Sequence, residues 1–145
     1  MALMHLLAGL AKKTRRPLPL VLTVDHRLRD GSTRDARQVV AWAKALGLEA
    51  MLLTWRGPRP VRAVEAAARD ARYRLMGAAL RKKKIAILCL GHSQDDQAET
   101  FLMRLARGSG LDGLAAMQPL APFPVLGFDG LLLARPLLAM SRAAL

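Results

Sequence analysis

Apolar residues fall along this chain in two rhythms. Three short runs are almost continuously apolar: Leu20 to Val24, Leu48 to Trp55 (interrupted by Glu49) and Ile85 to Leu90. Such runs suit strands buried on both faces, as in a parallel sheet. Between them the apolar positions recur at helical spacing: Leu3, Leu6, Leu7 and Leu10; Ala36, Val39, Val40, Ala43 and Leu46; Val64, Ala67, Ala68, Ala71, Leu75 and Ala79; Ala98, Phe101, Leu102 and Leu105. Each set forms one face that turns toward a core. The pattern predicts a helix over Met1 to Lys12. A second helix opens at a capping box, Ser32-Thr33-Arg34-Asp35, and stops at Gly47. A Gly57-Pro58-Arg59-Pro60 loop then leads to a helix from Val61 to about Lys82, and a fourth helix starts near Ser93 or Gln94. Beyond Met117, Pro119, Pro122 and Pro124 break helix. Val125 to Phe128 and Leu131 to Ala134, around Asp129-Gly130, predict a hairpin. Strand and helix alternate, which gives an open parallel α/β sheet with helices on both faces.

Length and composition narrow the class. The chain has 145 residues, enough for one domain with a real core. No long uncharged apolar run exists, so no membrane-spanning helix is expected. The first 16 residues, MALMHLLAGLAKKTRR, carry charge after the apolar part, the reverse of a secretion signal. A cytoplasmic location and no membrane partner are expected. Cys89 is the only cysteine, so internal disulfides and Cys-x-x-Cys metal or redox sites are excluded. Lysine and arginine total 23 against 11 acidic residues, a net charge of +12 that favours an anionic partner, nucleic acid first. Oligomeric state is not legible.

Against that basic background, three acids within five positions stand out: Asp95, Asp96 and Glu99. They follow Gly91 and His92 at the carboxyl end of a predicted strand, where α/β sheets bind ligands. Asp96 and Glu99 are spaced i,i+3, and Asp95 and Glu99 i,i+4, so on a helix they can meet. Hard oxygen ligands at such a place suit Mg²⁺ carried with phosphate, Asp95 and Asp96 first. Acids in a first helical turn also complement the helix dipole. After the helix comes Arg107-Gly108-Ser109-Gly110. It reads as a glycine C-cap, with Arg104 and Arg107 on the last carbonyls, and also as a turn whose free N–H groups and arginines contact phosphate, and neither reading excludes the other.

The segment GHSQDDQAETFLMRLARGSGLDGLAAM, Gly91 to Met117, resembles the signature of the PP-loop ATP pyrophosphatase family, and within it that of the tRNA(Ile)-lysidine synthetases. Their pattern there is G-H-H-x-D-D-Q-x-E-T, a helix ending in R-G-S-G, then G-L. Ser93 stands where a second histidine is usual. The resemblance extends to Asp25-His26-Arg27-Leu28-Arg29 (family V-D-H-x-L-R), to Glu65 through Tyr73 (E-x-x-A-R-x-x-R-Y) and to Arg135-Pro136-Leu137-Leu138. It implies a Rossmann-like nucleotide-binding fold. It places Asp25, His26 and Arg29 beside the nucleotide, and Arg69, Arg72 and Tyr73 as site or supporting positions. It adds Gly91, His92, Arg107, Gly108, Ser109 and Gly110 as substrate-binding candidates.

The resemblance also implies a reaction. ATP adenylates the C2 oxygen of a cytidine in the anticodon of tRNA(Ile), and an amine of free lysine displaces AMP. Asp95 and Asp96 are then the metal candidates, Arg69, Arg72 and Arg107 the phosphate donors, and Glu99 or an aspartate the group for the lysine amine. The family's first strand and S-G-G-x-D-S loop, which cradles pyrophosphate with backbone N–H groups, have no match in the chain, so it is expected to be a single truncated nucleotide-binding domain. As it stands it is expected to bind ATP poorly and to turn over negligibly. Two alternatives compete: a related PP-loop tRNA thiolase, which generally needs reactive cysteines, and a non-catalytic basic RNA-binding α/β module.

Overall fold

The computed structural model describes residues 1–57 and 62–145. The expected loop at Pro58 to Pro60 and the expected helix start at Val61 lie outside the described residues. The chain divides into two compact units, essentially residues 3–84 and 85–145.

In the first unit the order is α1 (Ala2–Thr14), β1 (Val21–Asp25), α2 (Ser32–Ala45), β2 (Ala50–Thr54) and α3 (Val64–Lys82). β1 and β2 pair in parallel, from Val21 opposite Ala50 to Asp25 opposite Thr54. Parallel neighbours require a crossover, and α2 supplies it. Its apolar face packs on both strands, with Ala36 and Ala43 buried. A small core forms from Ala8, Ala43 and Leu48, with Met4, Val21, Leu46 and Ala50 packed around it. The inward face of α1 therefore differs from the leucine stripe the spacing predicts. Ala8 and Ala11 are buried, whereas Leu6 and Leu10 are exposed. Ala8 and Met4 reach the small core, while Leu6 and Leu10 fall outside it. In α3, Ala68, Tyr73, Met76, Gly77, Ala79 and Leu80 are buried, and Val64 is exposed.

In the second unit the order is β3 (Ile87–Cys89), α4 (Gln94–Ala106), α5 (Leu111–Leu114), β4 (Leu120–Pro122), β5 (Leu132–Ala134) and a 3₁₀ turn (Arg142–Ala144). β5 is central: β3 pairs with it in parallel and β4 antiparallel. Leu133 on β5 is 1% exposed and anchors this core with Leu88, Phe123, Val125, Leu131, Leu137 and Leu138. The hairpin exists, but its first arm is Leu120–Pro122 and not Val125 to Phe128. Gly127 and Gly130 both hold φ near +84°, so this stretch turns where a strand would have to extend. Pro122 lacks an N–H and is accommodated because β4 is an edge strand. Phe123 and Phe128 close the loop edge to face, centroids 5.6 Å apart.

Two further expectations fail here. β3 is not buried on both faces, because Ile87 is 46% exposed. The apolar face of α4 does not enter a core either: Phe101, Leu102 and Leu105 are exposed, and α4 has no buried residue. Among the described elements α4 packs chiefly against the four-residue α5, too short to cover it.

These burials predict unequal responses to truncation. Leu133→Ala removes a fully packed side chain and should cost about 3 kcal/mol. Leu102→Ala on the open face of α4 should stay within about 0.5 kcal/mol. Urea unfolding of both variants measures this, and equal losses would contradict the assigned core.

Candidate functional site

The first group of site candidates gathers at the carboxyl end of β1. Asp25 is 2% exposed. Its Oδ1 accepts the Arg27 N–H at 3.0 Å and the Ser32 hydroxyl at 2.8 Å, and its Oδ2 accepts the Thr33 hydroxyl at 2.6 Å. The Arg27 guanidinium lies 3.9 Å away. Donation by Thr33 holds the Asp25 carboxyl below the usual carboxylate range; Ser32 and Arg27 add to this, and burial opposes it. A buried carboxylate is tolerated because it is paired and hydrogen-bonded. Its bonds tie the start of α2 to the end of β1.

The expected capping box at Ser32 to Asp35 does not form. The N-cap is Gly31 at φ 84°, with no side-chain cap. Asp25 has taken the Ser32 and Thr33 hydroxyls. Asp35 instead accepts from Arg29 at 2.6 Å.

α3 brings Arg72 to this end. Its Nη2 lies 3.4 Å from His26 Nε2. A guanidinium has donors and no acceptor, so Nε2 must present its lone pair and the imidazole is neutral. Burial, and then the Arg72 charge, push the His26 pKa below its ordinary value, with Asp25 opposing. The Nδ1 atom is buried with no hydrogen-bond partner among the described residues. One turn earlier, the Arg69 guanidinium sits 5.3 Å from the centroid of the buried Tyr73 ring. Asp25, His26 and Arg72 thus lie together, whereas the exposed Arg29 turns to Asp35. Tyr73 underlies Arg69 and is not presented to solvent.

The second group surrounds the start of α4. Gly91 and His92 leave β3, and Ser93 is the N-cap. Its hydroxyl accepts from the Asp96 N–H at 3.4 Å, and Asp96 Oδ2 accepts the Ser93 N–H at 2.7 Å and its hydroxyl at 2.8 Å. This is the capping box of the chain. It accounts for serine at position 93, since a hydroxyl there satisfies helix donors that imidazole does not. The Ser93 N–H, then its hydroxyl, hold Asp96 below the usual carboxylate range; burial opposes, and Arg142 and His92 add to the lowering.

Arg142 is the site residue that pattern reasoning missed. Its N–H donates to Asp95 Oδ2 at 2.6 Å, and its Nη2 lies 3.3 Å from Asp96 Oδ1 and 3.6 Å from Glu99 Oε1. The Gln94 N–H donates to the Met140 carbonyl at 2.8 Å. Residues 140–142 therefore lie across the first turn of α4. The available signal was charge arithmetic: three acids in a basic chain need a cation, and a chain with 23 basic residues can supply its own.

This bears on the metal expectation. Both Asp96 oxygens face donors, one of them a guanidinium, and Asp95 already binds a backbone N–H. Among the described residues no group of three or more His, Cys, Asp or Glu side chains could hold a metal ion. A Mg²⁺ carried by phosphate needs only one or two carboxylates, so Asp95 and Asp96 could serve it only by giving up part of these contacts.

At the far end of α4, Gly108 has φ 69°. The Gly108 N–H donates to Leu105 and the Ser109 N–H to Arg104, both at 3.0 Å. This closure is a Schellman motif. It takes up two of the N–H groups that the phosphate-turn reading requires. Arg104 does not cap the helix; its Nη1 reaches the Gly113 and Ala116 carbonyls at 2.6 and 3.1 Å and holds α5. Arg107 and Gly110 are exposed.

The Asp25 network predicts a pH signature. Its lowered carboxyl contributes stability that is fully present above the unfolded value of about 4 and is lost as pH falls through the lower folded value. Asp25→Asn should cost about 1–3 kcal/mol at neutral pH. The gap to wild type should hold from about pH 5 to 8 and narrow below about pH 4. Urea unfolding across pH tests this, and a gap that does not change with acid would sink it.

Comparison with known proteins places the chain. The profile of the PP-loop domain matches residues 1–145. The tRNA(Ile)-lysidine synthase of Bradyrhizobium sp. (strain BTAi1) is 49% identical over 146 aligned positions, which cover 100% of this chain and 39% of that protein. The one from Rhodopseudomonas palustris is 44% identical, covering 100% and 41%. That of Wolbachia pipientis wMel is 41% identical, covering 97% and 32%. The chain thus spans about two fifths or less of the length of these relatives. Among solved structures, the U34-tRNA thiolase NcsA from Methanococcus maripaludis, with its [4Fe-4S] cluster, superposes with a TM-score of 0.71 at 16% identity, over 93% of this chain and 48% of that one. At that identity the likeness speaks for the fold alone. With a match along its whole length and parallel α/β pairing to go with it, the chain belongs to the PP-loop domain family.

Proposed function

We propose that this chain is the nucleotide-binding part of an ATP-dependent tRNA-modifying ligase of the lysidine synthase type, acting on tRNA(Ile) and free lysine in the cytoplasm. The observation that carries the reading is the 49% identity to a tRNA(Ile)-lysidine synthase along the whole chain. In the proposed reaction the C2 oxygen of the anticodon cytidine attacks the α-phosphorus of ATP and pyrophosphate leaves. An amine of lysine then attacks C2, and AMP leaves with the oxygen.

The residue chemistry suits these steps. Arg72 and Arg69 supply positive donors for phosphate oxygens. Neutral His26 orients, since its lowered pKa keeps it uncharged beside Arg72. Asp95 and Glu99 take the lysine ammonium and the proton it releases. Asp96 holds the α4 terminus in place through Ser93. Any Mg²⁺ belongs to the incoming triphosphate as its counter-ion.

A thiolase reading is weaker. Cys89 is the only cysteine, it lies within β3, and burial pushes its thiol up, away from thiolate chemistry.

The test is pyrophosphate release from ATP with tRNA and lysine added singly and together. It is run on the chain as it stands and with an S-G-G-x-D-S strand and loop fused ahead of Met1. In the form carrying the added loop, at most one equivalent of release is expected with tRNA alone and continued release only with tRNA and lysine together, and Asp95→Asn or Glu99→Gln should lower the continued rate at least about 10²-fold. tRNA binding without release in either form would favour a non-catalytic RNA-binding module.

A further inference from the structure

α2 carries a basic stripe that the site does not use. Arg34, Arg37, Gln38, Ala41 and Lys44 stand at steps of three, one, three and three, on the side of the helix away from its buried Ala36 and Ala43. All five are exposed. With Gly31 and Thr33, all but Lys44 line an open groove of about 600 Å³. The stripe itself holds no carboxylate. Its neighbour Asp35 is already answered by Arg29 at 2.6 Å and reaches Arg34 only at 4.0 Å. Arg37 and Lys44 form no ion pair among the described residues. The helix begins just after the loop that carries His26 and Arg29, so the stripe starts beside the first site neighbourhood and runs away from it.

We propose that this face of α2 is a docking surface for the phosphate backbone of RNA, flanking the site. The inference rests on the functional reading above and adds where the polynucleotide lies. Guanidinium forks match phosphate geometry, and uncompensated charges are available to release counterions. No aromatic side chain lines the groove itself, although the exposed Trp42 borders the stripe one turn beyond Gln38. Within the groove the contact tracks backbone and carries no sequence information, since phosphate contacts position and base contacts specify. An apolar partner is disfavoured, because Ala41 is the only apolar side chain on the stripe.

The experiment is fluorescence anisotropy of a labelled tRNA(Ile) anticodon stem-loop, titrated with the chain over a range of salt. Wild type is compared with the triple variant Arg34→Gln, Arg37→Gln, Lys44→Gln. A control triple, Lys12→Gln, Lys13→Gln, Arg16→Gln, removes the same charge from the end of α1 and the loop after it. Melting curves establish that each is folded; if the triple is not, Arg37→Gln alone replaces it. The α2 triple should bind at least about tenfold more weakly at low salt. Its plot of log K against log salt should be shallower by about 2, near 0.7 for each phosphate no longer neutralised. A scrambled stem-loop should lose as much. Equal slopes for wild type and the α2 triple, or an equal loss in the control, would overturn the surface while leaving the ligase reading intact. No RNA binding by wild type would overturn both.

Discussion

One buried carboxylate sets the geometry at the end of β1. Asp25 cannot sit unpaired at 2% exposure, so the chain must bring donors to it. It does so within eight residues, with one backbone N–H and two hydroxyls. That demand fixes the path of the β1–α2 turn. It puts glycine at the N-cap of α2 in a left-handed conformation and leaves Arg29 to meet Asp35. His26 is then held between this carboxylate and Arg72 of α3. The state of the imidazole is set by its burial and then by the Arg72 charge, with Asp25 pulling the other way.

The start of α4 solves a related problem by different means. Asp96 is spent on the helix terminus, through Ser93. Asp95 and Glu99 are bridged to Arg142. A basic chain has met its one dense patch of acid with a cation of its own. In both places a carboxylate that looks like a ligand by position serves first to hold the backbone. The residues left to meet a substrate are those arranged around it.

Much of this was legible in the order of residues. Continuous apolar runs located β1, β2 and β3, and the helical spacing located all four long helices. What pattern could not supply was the partner of each face. The stripe on α4 is amphipathic whether or not a core exists to receive it, and α5 is too short to be one. Likewise Ser32-x-x-Asp35 and Ser93-x-x-Asp96 are the same local signal. Only the second is a capping box, because a distant carboxylate claimed the hydroxyl of the first. Gly108 shows the opposite case: its closure of α4 is local, and the glycine alone announced it. Interactions within a few residues can be read from sequence, and those decided by a competitor seven or forty-seven residues away cannot.

The contact between positions 142 and 95 has one more implication. It comes from the main chain, since the Arg142 N–H and not its guanidinium reaches Asp95. Replacing the side chain therefore leaves it intact, and a survey of substitutions at 142 would report only on Asp96 and Glu99. Proline is the exception. The first residue of a helical turn is ordinarily where proline is welcome, because its N–H has no partner to lose. Here that N–H is engaged, so a residue harmless by position becomes the one replacement that removes this bond, leaving the Gln94 N–H on the Met140 carbonyl to hold the segment.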